Sequence, residues 1–584
     1  SAEWLTTLLQ QRCGIVQPRD FQVRHGMDLI NGKDLFLVVA PGQGKTLVMY
    51  APLLAAQALS QQGIAIIVAP TKLLTVQLSN GATKIGLRAL AINEDTLRTA
   101  QYENHDLFKE LAAGKDVRIA VMSPQMLSGE RMNSFLRTAS NKRQIRWFMV
   151  DEAHLVDEES TLWLEPYRGI KMMRARLVSG TIWAAFTGTA TPSCSLAIAA
   201  GLGFRRGHYV DARYSVDRPN IKYITRFLEY PVSGAEFLDL AFLIPHDMTC
   251  AQDIPITLVF CNTIETGYRL MKFLDRLIPS TVPQRLKIVK LYNSLMPDNY
   301  RQKFVCDINS GTVLRIGICT DTCVYGFDVP GVRRTVNLGV PKSRQEAKQK
   351  DLRGGRDGSL AIAYSYAPDW VRDIPPETVQ TKKEKHDAER RKKLEHDILL
   401  WFNPPPTMCP RRLDLESNGE VFEPRERWCS TCHPEPEVSS DATANAKWAD
   451  ILAASAPIKV ASNVRSDGTY CALGVRTRQA FITMLLQWRG RVWKRTRGDC
   501  IDEPAQRFLP VFLINRLADK AHACTTYKKF EHVMTGWDSL SSHGVELFQW
   551  LTEILEGFKA ARTQRTSENN IKVEEQDLKI VQHV

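Results

Sequence analysis

No apolar run in the sequence approaches the roughly 20 residues that a helix needs to cross a bilayer, so no membrane span is expected. Cysteine is sparse and odd in number, 13 in 584 residues. That excludes the dense pairing of a small secreted disulfide scaffold and fits a reducing intracellular compartment. Acidic residues are the minority among the charges, 64 against 76 Lys and Arg, which leaves a formal charge of +12. A basic excess of that size fits a polyanionic partner, because each cation that neutralises a phosphate releases counterions; basic proteins without such a partner are also common. The start, Ser1-Ala2-Glu3-Trp4, has neither a Met nor the pattern of a signal peptide, so it says little about targeting.

The composition is ordinary for a soluble globular chain, 44% hydrophobic and 24% charged, and its length predicts three or four domains. Between Gly32 and Thr189, short β-branched runs alternate with longer amphipathic segments: Asp34–Ala40, Ile64–Ala69, Val117–Met122, Trp147–Val150 and Ile182–Thr187. A second series follows at Ile256–Cys261, Leu286–Leu291, Leu314–Cys319, Arg334–Leu338 and Ala361–Ser365. Near-continuous apolar strands separated by helices indicate parallel sheets covered on both faces. The expected fold class is therefore α/β, with two tandem phosphate-loop domains over 1–213 and 214–368 and no other internal repeat. A charged helical segment, Val379–Trp401, opens a third region over 369–438. Its interspersed acids favour a solvated helix face over a basic import signal. The small polar stretch Ser439–Ala446 reads as a linker into a mainly helical fourth region, 439–584.

The first strand runs into Ala40-Pro41-Gly42-Gln43-Gly44-Lys45-Thr46. Gly42, Gln43 and Gly44 let backbone N–H groups approach phosphates, Lys45 can reach the β/γ-phosphates, and Thr46 can ligate Mg²⁺ at a helix N-terminus. The strict Gly-x4-Gly-Lys-Thr form would put a glycine where Val39 stands. A second apolar strand ends in Asp151-Glu152-Ala153-His154. Asp151 is suited to hold Mg²⁺ through water and Glu152 to polarise the attacking water; alone, the pair could equally be two solvent-facing loop acids.

The order of these motifs resembles the superfamily 2 helicases. In that resemblance Pro18-Arg19-Asp20-Phe21-Gln22 stands where the adenine is read, with Gln22 on the base edge and Arg19 against the ring. Thr71 and Lys72, then Ser123 and Pro124, stand in strand-end loops that touch the nucleic-acid backbone, and Thr187-Gly188-Thr189 stands at the motif coupling the two sites. In the second half, Thr320 stands at a backbone contact and Asp328 at a ribose contact. Gln349-Lys350-Asp351-Leu352-Arg353-Gly354-Gly355-Arg356 resembles the arginine-finger motif, which implies that Gln349, Arg353 and Arg356 serve the γ-phosphate across the cleft.

Two strings are similar to the RecQ family: Asp217-Arg218-Pro219-Asn220, and the ending Arg353-Gly354-Gly355-Arg356-Asp357-Gly358. A third likeness is a cysteine cluster after a helical segment, where RecQ proteins carry structural Zn²⁺. Here Cys409, Cys429 and Cys432 remain, Glu426 occupies the position of a fourth cysteine, and the fourth ligand is either Glu426 or His433. A decayed, metal-free site is the alternative. The aromatic-rich loop of the family is altered after His154: Trp163 and Tyr167 keep aromatic positions. They either stack on unpaired bases or, for Trp163, anchor the core. Towards the end, Arg476, Arg478, Arg489, Arg491, Lys494, Arg495 and Arg497 interleave with Trp488 and Trp493. This is either a nucleic-acid surface, by position a winged-helix module, or a solvated helix whose tryptophans face its own core.

The resemblance implies an ATP- and Mg²⁺-dependent DNA helicase that moves 3′-to-5′ on single-stranded DNA and opens duplexes or branches, as a monomer in the nucleus. The alternatives are an RNA helicase or non-unwinding translocase, and a DNA-binding scaffold with an inactive motor.

Overall fold

The computed structural model describes residues 1–114, 116–156, 169–234, 236–320, 329–374, 381–405, 408–422, 432, 437–453, 472–498 and 500–581, with side chains to 560 except at 139–140 and 437–440. The chain divides into two compact units. The first comprises 1–229, 254–262 and 315–441; the second comprises 230–253, 263–314 and 442–584.

The first unit holds a seven-stranded parallel sheet made of β1 (Asp34–Val38), β2 (Ile64–Val68), β3 (Ala89–Ile92), β4 (Ile119–Met122), β5 (Ile145–Val150), β6 (Ile182–Thr187) and β7 (Tyr209–Arg213), in the order β3-β4-β2-β5-β6-β1-β7. Side chains alternate across it: Phe36, Val38, Ile66 and Phe148 enter one core layer, and Leu35, Leu37, Ile67 and Trp147 the other. Helix Lys45–Ala58 packs its Val48, Leu53 and Leu54 into the second layer. Covered on both faces, these strands read as unbroken apolar runs rather than as alternation.

The same unit holds a second parallel set, β8 (Ile221–Leu228), β9 (Thr257–Cys261), β11 (Ile316–Cys319), β12 (Arg334–Leu338) and β13 (Ala361–Pro368), in the order β11-β9-β12-β13-β8. The two RecA-like α/β lobes are therefore as expected. Three strands escaped the sequence reading. β3 has four residues of helix-like composition, β7 is a half-exposed edge, and β8 follows directly on the Asp217-Arg218-Pro219-Asn220 string.

In the second unit, β10 (Val289–Tyr292) is followed by helices. Helices Val475–Arg497, Val511–Lys520 and Leu540–Val581 enclose a core of Phe481, Leu485, Trp488, Phe508, Trp537 and Leu551. No strand among the described residues follows β13, so the wing of a winged-helix module is not among them. The expected linker Ser439–Ala446 instead lies inside helix Glu437–Ala453. Its alanines are good helix formers, and contacts pin Asp441 and Asn445. Asp441, in the first unit, accepts from Arg226 and Tyr364, both at 3.0 Å. In the second unit, Asn445 binds the backbone of Asp239 and Phe242, and Trp448 donates to Ile244 O at 2.8 Å.

Candidate nucleotide site

Five motifs of the first lobe lie at the C-terminal edges of parallel strands: the glycine loop after β1, Thr71 after β2, Ser123 after β4, Asp151 after β5 and Thr187 at the end of β6. That edge is where open α/β sheets receive ligands, because helix N-termini point there. Gly42 and Gly44 have φ of +79° and +86°, a region that costs other residues roughly 1–2 kcal/mol. A Cβ at Gly44 would collide with Gln22 Nε2.

Lys45 Nζ is buried, makes no hydrogen bond among the described residues, and faces Asp151 and Glu152. A buried ammonium without a hydrogen-bond acceptor is costly unless an anion meets it. Placed beside the glycine loop and a helix N-terminus, it fits a polyphosphate. Thr46 follows in the first turn of the helix. Gln22, expected on the base edge, here braces the loop: Nε2 donates to Gln43 O (3.3 Å) and Gly44 O (3.0 Å), and Oε1 accepts from Arg19 N at 2.8 Å. Arg19 itself is exposed.

Asp151 is buried, and its pKa is pushed up to about 7, first by burial and then by the neighbouring Glu152 carboxylate, against the pull of Lys45. Burial also opposes ionisation of Glu152, but Lys45, with Arg353 and Arg356 after it, holds that carboxyl below its usual range. Two adjacent acids with opposed shifts can divide the labour of metal holding and proton handling. Glu152 adopts φ +50°, a strained conformation for a non-glycine residue that is common where structure is over-determined for function.

The second lobe reaches into this edge. A Cβ placed on Gly42 would lie 3.6 Å from Arg356 Cγ, so Arg356 lies against the phosphate loop, and Arg353 is buried and electrostatically coupled to Glu152. Gln349 Nε2 meets His154 Nε2 at 2.6 Å and donates to Thr189 Oγ1 at 3.3 Å. Burial holds His154 neutral, with its pKa down to about 4. Its Nε2 therefore accepts from Gln349, which leaves the Nδ1 proton for Thr187 Oγ1 at 3.0 Å. Gln345 also donates to Thr189 O, at 2.6 Å. The expected catalytic set, Lys45, Asp151, Glu152, Gln349, Arg353 and Arg356, thus converges. The neutral His154–Gln349 link and Gln345 were not foreseen as contacts; their signal was only that each sits within a motif.

The expected nucleic-acid residues are placed less uniformly. Thr71 caps helix Lys72–Lys84, accepting from Leu74 N at 3.2 Å. Lys72 is held by Glu94 (2.9 Å) and Asp95 (2.7 Å). Ser123 and Pro124 are buried while Gln125 is exposed, and Thr320 follows β11. Trp163, Tyr167 and Asp328 lie outside the described residues, as do Glu426, Cys429 and His433. Cys409 is buried and caps helix Pro410–Ser417, accepting from Arg412 N at 3.4 Å, and Cys432 is exposed. Among the described residues no cluster of three His, Cys, Asp or Glu could hold a metal, so zinc finds no support there.

Residues 19–195 match the DEAD/DEAH box helicase family, and residues 242–358 match the helicase conserved C-terminal domain. The chain carries a DEAD/DEAH box helicase domain and a helicase conserved C-terminal domain. It is 24% identical over 354 residues to the ATP-dependent DNA helicase Q-like 4B of Arabidopsis thaliana, covering 59% of this chain and 28% of that protein. It is 25% identical over 371 residues to the ATP-dependent DNA helicase RecQ of Haemophilus influenzae, covering 62% and 54% respectively. The chain thus spans about a quarter to a half of the length of these relatives. ATP-dependent RNA helicases are also similar to it. Among solved structures, the DUF1998 helicase MrfA bound to DNA superposes with a TM-score of 0.51 at 17% identity, over 67% of this chain and 54% of that one, a likeness of fold. Helicase domains of this kind imply the use of ATP and Mg²⁺, which the buried ammonium of Lys45 and the paired acids fit.

Proposed function

We propose that this chain is an ATP-dependent DNA helicase of RecQ type that moves 3′-to-5′ along single-stranded DNA and opens duplex or branched DNA. The observation that carries this is the convergence of Arg353 and Arg356 from one lobe on Lys45, Asp151 and Glu152 from the other. Bound there, Mg²⁺·ATP supplies the phosphoryl group whose transfer to water drives the cycle. Lys45 and the loop N–H groups hold the phosphates, Glu152 orients the attacking water, and the two arginines take up developing charge from across the cleft. The Glu152–His154–Gln349 line joins the hydrolysis site to the second lobe, so the state of the nucleotide biases lobe opening. The Asp217-Arg218-Pro219-Asn220 string and the relatives named as DNA helicases favour DNA.

Nucleic-acid-stimulated ATPase activity is expected to fall by about 10²–10⁴-fold in Glu152→Gln, the usual effect of losing a general base, and to vanish in Lys45→Ala. Wild-type rates in both variants would sink the motor reading. The RNA helicases among the relatives support a second reading, an RNA-directed motor. Strand displacement on matched forked DNA and RNA substrates separates the two.

A further inference from the structure

Arg218 is buried, 3% exposed, yet no carboxylate among the described residues lies within ion-pair reach of it. Its partners are neutral oxygens drawn from both lobes. Nη1 donates to Pro41 O of the phosphate loop at 2.9 Å, Nη2 donates to Gly354 O and Gly355 O of the arginine loop, and Nε donates to Asn220 Oδ1 at 3.3 Å. The position of a Cβ on Gly42 lies 3.4 Å from Nη1 and 3.6 Å from Arg356 Cγ, so two arginines flank that glycine. Burial lowers the basicity of Arg218, and Arg356 and Arg19 add to the effect, with Tyr223 and Asp357 opposing it.

A tie between three carbonyls needs donors, not charge. A guanidinium is the costly choice when it is buried with other cations and no anion within ion-pair reach, because desolvation is repaid only by an opposite charge close by. The phosphate loop that Arg218 touches is where the fold receives a polyanion.

We propose that Arg218 is a positioning residue that makes closure of the two lobes depend on the triphosphate, acting as a third cleft arginine beside Arg353 and Arg356. This rests on the ATP-motor reading. With the triphosphate in place, the charge of Arg218 is neutralised and its carbonyl contacts hold the arginine loop against the phosphate loop. Without the γ-phosphate, the buried charge disfavours the same arrangement.

The test uses the full chain with Arg218→Gln and Arg218→Lys, and measures ligand-free melting, binding of Mg²⁺·ADP and Mg²⁺·AMP-PNP, and kcat against KM for nucleic-acid-stimulated ATP hydrolysis. For Arg218→Gln the ligand-free melting temperature and ADP affinity are expected to stay near wild type. Its AMP-PNP affinity should fall by about tenfold, within the usual range of coupling between sites, and kcat should fall more than KM changes. Arg218→Lys, which keeps the charge but not the fork, should recover part of the preference for AMP-PNP over ADP. Equal losses of ADP and AMP-PNP affinity, with lowered ligand-free stability, would overturn the proposal and leave Arg218 a plain strut. So would a Gln variant that matches wild type throughout. If Arg218→Gln does not fold, Arg218→Lys decides by the same ratio of affinities. Insensitivity of the wild-type ATPase to Lys45→Ala would instead sink the motor reading beneath it.

Discussion

At the scale of single residues, the nucleotide site is a set of charges held where water cannot stabilise them. Asp151 shows the cost. Its pKa rises from 3.8 to about 7 on folding, so the folded protein keeps a proton that the unfolded chain releases. Stability from this group is fully present below pH 3.8 and is lost as pH rises through 7. Melted without Mg²⁺ or nucleotide, Asp151→Asn should match wild type near pH 4 and exceed it at pH 8, by on the order of 1–3 kcal/mol. A variant less stable than wild type at pH 8 would contradict this account. Adding Mg²⁺ at pH 8 should narrow the gap, because the ionised carboxylate then has a cation to meet. The same reasoning explains why His154 works here as a neutral acceptor.

At the scale of elements, helix Arg344–Asp351 carries Gln345 and Gln349 to the first lobe, and a short accessory helix, Pro410–Ser417, holds it in place. Asp414 meets Lys348 at 2.7 Å and Arg344 at 3.5 Å. Arg344 also pairs with Asp351 at 3.1 Å and lies 3.3 Å from the centre of the Trp401 ring. On the other side, Arg411 donates to Asp217, and Glu420 accepts from Ser215 (2.6 Å) and Val216 N (2.7 Å) in the interlobe connection. The helix thus grips both the arginine-bearing element and the hinge. Asp414→Asn strands the buried Lys348, while Arg344 keeps Asp351, and should destabilise the protein by about 3–5 kcal/mol, the usual effect of breaking one side of a buried ion pair. Denaturant unfolding checks this; a change under 1 kcal/mol would mean that water already screens the cluster.

At the scale of the whole molecule, the excess of positive charge is not spread evenly over usable surface. In helix Val475–Arg497, Arg478, Arg495 and Arg497 are already paired with Asp519, Glu546 and Glu503. Arg489 is half-buried, and desolvation lowers its pKa to about 10, while Arg491 and Lys494 are exposed. Trp488 is 3% exposed within the core, and Trp493 donates to Glu503 O at 2.7 Å. The tryptophans therefore face the core of their own unit and offer no stacking platform. Binding titrations of single-stranded DNA across a salt series should show affinity falling with log salt. Reversing Arg491 and Lys494 to Glu should reduce the slope by about two if both meet phosphates. Reversing the paired Arg478 and Arg495 should move it less. An unchanged slope in the first variant would place DNA contacts elsewhere on the molecule.

The sequence by itself determined the two parallel-sheet lobes, the phosphate loop and the paired acids, because each rests on local chemistry. Apolar runs such as Ile64–Val68 can be satisfied only inside a covered sheet, and Gly42-Gln43-Gly44-Lys45-Thr46 carries its conformational needs in its own residue types. The edge strands β3 and β7 were not legible, since half-exposed or very short strands carry little periodicity. The linker reading at Ser439–Ala446 failed because small polar residues are compatible with either a loop or a helix, and contacts hundreds of residues away chose the helix. Only the tertiary structure could decide that Gln22 braces the loop, that His154 is neutral against Gln349, and that Arg218 lies uncompensated between two lobes. Those properties depend on burial and on partners distant in the chain, and desolvation is set by the packed neighbourhood, not by the residue's name.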